Sequence, residues 1–182
     1  YQNFTPEQYE WARQRSDDPT VEDVRPDPNN PNQWAYMGNN NWNDYFFNDM
    51  SFSQNQNVAI SGSTDEVNYF ISGNYSRDNG LSKLAEDNWE RYALRSKVRF
   101  SPFDWFNLEN NTQVFQTERR RPTTSLTSIY NFHPTDVAVN PDGTWANNPA
   151  GRKAAELVDG GRRQEQDYGF NTLTRANVLL FE

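Results

Sequence analysis

Arg91-Tyr92-Ala93-Leu94-Arg95-Ser96-Lys97-Val98-Arg99-Phe100 is the stretch that decides the fold. Tyr92, Leu94, Ser96, Val98 and Phe100 share one side of an extended chain, while Arg91, Ala93, Arg95, Lys97 and Arg99 share the other. Such a period of two marks a β-strand with one apolar and one polar face. The pattern continues on both sides. Upstream, Val67, Tyr69, Ile71, Gly73 and Tyr75 alternate with Asn68, Phe70, Ser72, Asn74 and Ser76. Before the turn Gly62-Ser63-Thr64-Asp65-Glu66, Phe52, Gln54, Gln56, Val58 and Ile60 alternate with Ser53, Asn55, Asn57, Ala59 and Ser61. Downstream, Pro102-Phe103-Asp104 turns the chain into a fourth strand carrying Phe106, Leu108 and Val114. A fifth carries Tyr168, Phe170, Ala176, Val178 and Leu180.

Strand and loop lengths then suggest an architecture. Soluble strands average about 5–6 residues, whereas a tilted strand crossing a bilayer needs about 9–11. The strands read here have the longer span. Connections near 62–66 and 102–104 are tight, and those over 77–90 and 118–166 are long. Short turns on one rim and long loops on the other are the layout of an all-β, antiparallel transmembrane barrel with external long loops. Tyr75, Tyr92, Tyr168, Phe100 and Phe106 then sit where interfacial girdles belong, and Arg95, Lys97 and Arg99 face a polar lumen. The chain divides accordingly into an external loop with a short helix (1–51), barrel strands (52–117), a long external loop (118–166) and a further strand (167–182). Five strands do not close a barrel, and the last one stops at Glu182, so the expectation is a fragment. A soluble antiparallel sheet with one covered face gives the same alternation.

Composition limits the other options. The 182 residues carry a net charge of −8, and only 34% are apolar, yet 15% are aromatic, which disordered chains are not. Acidity disfavours gripping nucleic acid by its phosphates. The longest apolar run, Val178-Leu179-Leu180-Phe181, is far short of the roughly 20 residues of a membrane helix. No Cys is present, which excludes disulfides, thiolate metal sites and Cys nucleophiles.

Around the strands, Thr5-Pro6-Glu7-Gln8 reads as a capping box opening a short helix that Ser16-Asp17-Asp18-Pro19 ends. Pro26, Pro28 and Pro31 punctuate an Asn-rich stretch expected to be irregular, studded with Trp34, Tyr36 and Trp42. Pro149, Ala154, Ala155, Leu157, Val158 and Gly160 outline a second helix.

Several segments resemble a known family. Asn41-Trp42-Asn43-Asp44-Tyr45-Phe46-Phe47, followed by Gln54-Asn55-Gln56-Asn57-Val58-Ala59-Ile60-Ser61-Gly62, resembles a stretch of SusC/RagA-type TonB-dependent outer-membrane transporters. Asn68 to Gly80, Arg91 to Val98, Asp104-Trp105-Phe106 and the helix at Thr5 to Ala12 resemble further segments in the same order. Gln56 departs from the His common there. The resemblance implies part of a plugged, 22-stranded barrel in the bacterial outer membrane. It also implies import of an oligosaccharide or peptide substrate with a SusD-like lipoprotein, the TonB complex acting through a plug region absent here, and contact with lipid bilayer and lipopolysaccharide. No nucleic-acid partner and no catalytic residue are implied.

Side chains with chemistry are few. His133 is the sole histidine, a candidate substrate contact set in a long loop, with no second signal for a zinc site or a triad. Asp136, Asn140 and Asp142 loosely resemble a calcium loop without its closing Glu, and Asn140-Pro141-Asp142-Gly143 is foremost a turn; no other cofactor is indicated. Arg119-Arg120-Arg121 offers an anionic contact or an acid-paired loop edge. Trp34, Trp42, Trp89 and Trp145 suit either stacking on sugar rings or locking loops, with Trp145 deepest in the longest loop. Two functions follow: a barrel segment of a nutrient transporter, or, as the alternative, a secreted β-sandwich module binding carbohydrate through the tryptophans. Neither is an enzyme.

Overall fold

The structure, a computed structural model, describes residues 4–180. Residues 181 and 182, expected to end the last strand, lie outside the described residues. Helix α1 (Pro6–Asp17) begins as the sequence predicts: the Thr5 hydroxyl accepts from the Gln8 amide while the Gln8 side chain accepts from the Thr5 amide at 2.9 Å. Trp11 is its buried residue, and its indole N–H donates to the Glu22 carbonyl at 2.8 Å.

The proline-punctuated stretch is not irregular. It forms an antiparallel hairpin of β1 (Val24–Asp27) and β2 (Asn30–Tyr36). A two-stranded ribbon is all edge, so Pro26 and Pro31 cost it little. The Asp27 carboxylate accepts the Asn29 amide at 2.8 Å and closes the turn. Helix α2 (Trp42–Phe46) follows, capped by Asn41. Its two buried residues, Trp42 and Phe46, are spaced i, i+4 and share a face.

Five long strands come next: β3 (Ser53–Ser63), β4 (Val67–Asn79), β5 (Asn88–Phe103), β6 (Phe106–Pro122) and β7 (Arg162–Val178). They form one sheet in sequential order, antiparallel from β3 to β6. All five segments read from the alternation are strands, and most extend further than expected. β5 reaches back to Asn88, and β6 runs through Arg119, Arg120 and Arg121, which are therefore strand residues rather than a loop edge. Between β6 and β7 lie a 3₁₀ turn (Thr127–Asn131) and α3 (Pro149–Val158), the latter with Pro149 at its start as predicted.

The barrel expectation is corrected by this topology. β3 and β7 are the two edges of an open sheet, and among the described residues no pairing joins them. A barrel closes its hydrogen-bond ladder on itself, and an open edge leaves backbone groups with no partner in hydrocarbon. The transmembrane, 22-stranded barrel segment is therefore not the architecture found, and Arg95, Lys97 and Arg99 line a sheet face rather than a lumen. No helix among the described residues is long and apolar enough to cross a membrane.

The chain divides into two compact bodies. One comprises Tyr1–Asp49, Leu81–Glu86 and Pro122–Arg162; the other, Met50–Gly80, Asp87–Arg121 and Arg163–Glu182, is the sheet. Among the described residues every fully buried apolar side chain belongs to the first. Its main cluster joins Trp42 and Phe46 to Ile129, Ala138, Ala150, Ala154 and Leu157. Asn148 ties α3 into it, accepting from the Gly151 amide and donating to the Val137 carbonyl, both at 2.8 Å. Gly151 is required there, because a Cβ would collide with the Ala146 backbone.

Candidate functional site: the polar face of the sheet

Register assigns the two faces. Across strands, Val58, Gly73, Leu94 and Val114 stand in one row, with Gln56, Tyr75, Tyr92 and Gln116 beside it. Cross-strand partners project to the same side, so this face is apolar and includes the aromatics read as girdle residues. Tyr75 and Tyr92 pack with centroids 4.9 Å apart. Gly73 has open space where a Cβ would be, which leaves a hollow of about 590 Å³ bordered by Tyr75, Tyr92, Leu94, Val114 and Tyr168. Phe100 and Leu108 continue the same side toward Phe106.

The opposite face is built differently. Ser61, Phe70, Lys97 and Asn111 form one row, Ser63, Asn68, Arg99 and Glu109 the next, and Ala59, Ser72, Arg95 and Gln113 lie on the other side. Near the β3–β4 turn, Ser61, Ser63, Asn68, Phe70, Lys97 and Arg99 border a hollow of about 460 Å³. The Ser63 hydroxyl donates to the Asn68 side-chain oxygen at 2.6 Å, a bond that does not use the Asn68 amide N–H groups. Phe70 is 40% exposed, an aromatic ring with a free surface among polar groups. Phe115, the other phenylalanine of this face, is already used: Arg91 stacks 4.6 Å from its centroid, and Gly169 of β7 leaves it room that a Cβ would close.

The charges are unbalanced. Lys97 and Arg99 both pair with Glu109, at 3.2 and 3.4 Å. Hydrogen bonds from these two cations hold the Glu109 carboxyl below the usual carboxylate range. Arg95 donates only to the neutral Asn111 side chain, at 3.3 Å. These cations are about half exposed, so they remain open to a ligand.

The expected loop site is not gathered in one place. Trp42 is 6% exposed within the main core, and its N–H donates to the His133 carbonyl at 2.8 Å. His133 itself is exposed. Trp145 is half-buried against the same core and donates to the Asp159 carboxylate at 2.5 Å. Trp34 packs on the smaller cluster of Val24, Val137 and Ala146. Trp89 lies in the other body, on β5 between Asp78 and Arg119. Arg121 pairs with Glu165 at 3.0 Å and Arg120 with Glu118 at 2.6 Å.

The residues compared with a calcium loop form a hairpin turn. The Gly143 amide donates to the Asn140 carbonyl, Gly143 is left-handed at φ 84°, and the Asn140 amide donates to the Thr144 carbonyl. This is a type I turn with a glycine bulge. Its oxygens are committed: Asn140 accepts from Tyr36, and Asp142 accepts from the Thr144 amide and hydroxyl. Asp136 is buried, one carboxylate oxygen has no partner, and burial raises its pKa. Among the described residues no group of three or more His, Cys, Asp or Glu is placed to hold a metal ion.

Phe70 falls within the alternation at a position for which the sequence alone predicts no role. The signal was present: it is an aromatic on the face otherwise occupied by Asn, Ser and Arg. Without register, nothing brought it together with Lys97 and Ser61.

The chain matches no protein-family model. It is similar to a protein of Formosa agariphila named TonB-dependent receptor P3, at 30% identity over 124 residues, covering 62% of this chain. The matched stretch is 12% of that receptor's length. So partial a likeness does not carry the whole receptor's architecture to this chain. The open sheet and so short a matched stretch overturn the expected SusC/RagA barrel segment, its import function and its outer-membrane location.

Proposed function

We propose that the chain is a non-catalytic recognition module that binds an oligosaccharide on the polar face of its sheet. The observation carrying this reading is the exposed Phe70 ring set in one hollow with two hydroxyls, an amide and two cations. A sugar ring presents an apolar C–H face and a rim of hydroxyls. The first stacks on an aromatic surface, and the second needs convergent donors and acceptors, strongest where one partner is charged. The opposite face carries Gln56 and Gln116 beside its tyrosines, but no charged side chain lines its hollow, so charge-assisted bonds to sugar hydroxyls are lacking there. A likeness to part of a protein named a receptor is in keeping with ligand recognition. The two-stranded and five-stranded sheets lie in different bodies, so the site belongs to a single sheet and not to a sandwich.

Titration calorimetry of the full chain against a panel of linear oligosaccharides and, in parallel, short peptides tests this. Binding of at least one oligosaccharide is expected, weakened roughly tenfold by Phe70→Ala, about the contribution of one aromatic contact. Binding to peptides alone, or sugar binding indifferent to Phe70→Ala, overturns it.

A further inference from the structure

We infer that the oligosaccharide taken by this face is acidic, with carboxylate or sulfate groups spaced along its chain. The inference rests on the binding reading above and names the ligand class for the same hollow. The observation is a charge imbalance running against the rest of the protein. The chain as a whole has a net charge of −8. Yet on the polar side of β5, Arg91, Arg95, Lys97 and Arg99 stand in a line, and the facing positions of β6 from Asn107 to Thr117 supply a single carboxylate, Glu109. Its two bonds to Lys97 and Arg99 leave a surplus of cation there. Arg95 has a neutral partner and Arg91 a ring, so neither is neutralised by those contacts.

Geometry distinguishes an extended ligand from a single ion. Alternate residues of a strand lie about 7 Å apart, so Arg95, Lys97 and Arg99 form a ladder of positive charge parallel to β5. A lone anion satisfies one rung. A polymer with repeated anionic groups satisfies several in succession while its rings lie along Phe70 and the Asn and Ser side chains. Arginine also offers two parallel donors to carboxylate or sulfate oxygens, which lysine does not. The flanking groups on this face are amides and hydroxyls (Asn68, Ser72, Asn111 and Gln113) that suit sugar hydroxyls.

The test uses the full chain and hexasaccharides of matched length: a hexagalacturonate for carboxylate, a heparin-derived hexasaccharide for sulfate, and neutral maltohexaose and cellohexaose. At least one acidic ligand is expected to bind about tenfold more tightly than the neutral ones, with the advantage shrinking between about 50 and 500 mM salt. Arg95→Gln, Lys97→Gln and Arg99→Gln, each made singly on exposed side chains, each reduce that advantage severalfold, weakening acidic-ligand binding more than neutral-sugar binding. Glu109→Gln has the opposite effect and strengthens acidic-ligand binding severalfold, because it removes the internal competitor for Lys97 and Arg99. Arg13→Gln, an equal charge change in α1, has no effect. Comparing the two acidic arms identifies the anionic group. If neutral hexasaccharides bind as tightly as acidic ones, the inference fails and the carbohydrate reading stands. If no saccharide binds, that reading itself has failed. Equal binding of a single-stranded oligonucleotide of the same charge also overturns the inference, since the face would then select charge and not sugar.

Discussion

The two bodies reverse the relation between sequence regularity and burial. The sheet has the cleanest periodicity in the chain, yet its side chains stay largely accessible: Val58 is 72% and Tyr168 70% exposed. The other body, built from Asn- and Pro-rich stretches with no sustained period, contains every fully buried apolar residue among those described. Alternation therefore reports that a sheet has two different faces, not that either is covered. The sheet is held by its ladder of backbone hydrogen bonds and cross-strand pairs such as Tyr75–Tyr92. The irregular body is held by close packing. The two should respond to substitution in opposite ways.

Phe46→Ala should have the largest effect. The ring is 0% exposed and meets Trp42, Tyr45 and Phe132 with centroids 5.1–5.9 Å away. Its removal leaves a cavity costing about 3–5 kcal/mol. Urea unfolding followed by tryptophan fluorescence measures this, since Trp11, Trp34, Trp42 and Trp145 all report on that body. Val58→Ala, on the sheet's apolar face, should cost under about 0.5 kcal/mol in the same assay, as a mostly exposed side chain has little contact to lose. A cost for Val58→Ala near that of Phe46→Ala would show that the sheet's apolar face is covered in solution, and the contrast would fail.

Next comes Asn148→Ala. It removes the cap of α3 and the tie to Val137 together, for an expected loss of about 1–2 kcal/mol. Asn148→Asp keeps the acceptor for the Gly151 amide and should recover part of the loss. Asp136→Asn goes the other way. Its buried, unpartnered carboxylate oxygen disfavours the ionised form, so the folded-state pKa is raised. A raised carboxyl pKa favours folding below the unfolded-state value, and that advantage disappears as pH rises through the folded-state value. At neutral pH the wild type thus carries a buried charge, and Asp136→Asn should gain about 1 kcal/mol. The gain should vanish in acid, which parallel melts at the two pH values would show.

Much of this architecture was legible beforehand, for identifiable reasons. The five long strands follow from alternation, which is local. The α1 cap follows from Thr5 and Gln8, and the start of α3 follows from Pro149, also local signals. The β1–β2 hairpin is not legible in the sequence because Pro26, Pro28 and Pro31 ordinarily exclude strands, whereas a ribbon with two open edges tolerates them. The barrel expectation fails because strand length and loop asymmetry are necessary for a barrel segment but do not distinguish it from an open sheet of equally long strands. Of the candidate site, Lys97 and Arg99 were visible as a polar face, but Ser61, Ser63 and Phe70 join them only through register, which sets partners some 30 residues apart.

The smallest expected effect concerns the polar face alone and asks whether its cations serve Glu109 or a ligand. Lys97 and Arg99 lower the Glu109 pKa, so the pair's small contribution to folding is present above the unfolded-state value and is lost as pH falls through the lowered one. Because Lys97 and Arg99 are half exposed and Glu109 is partly exposed, solvent screens the pair and the stability change should be near the limit of detection. Ligand affinity should be more sensitive. A sulfated oligosaccharide keeps its charge in this range, so protonating Glu109 releases both cations to it, and binding should strengthen as pH drops below the usual carboxylate range. The same side also carries Asp78 in β4 and Glu165 and Asp167 in β7, so the decisive comparison is with Glu109→Gln. That variant should bind tightly at every pH and lose most of the pH dependence. A wild-type profile matching that of Glu109→Gln would mean that the carboxylate does not compete for Lys97 and Arg99, and that the polar face is a self-paired surface like the salt-bridged exterior of α1.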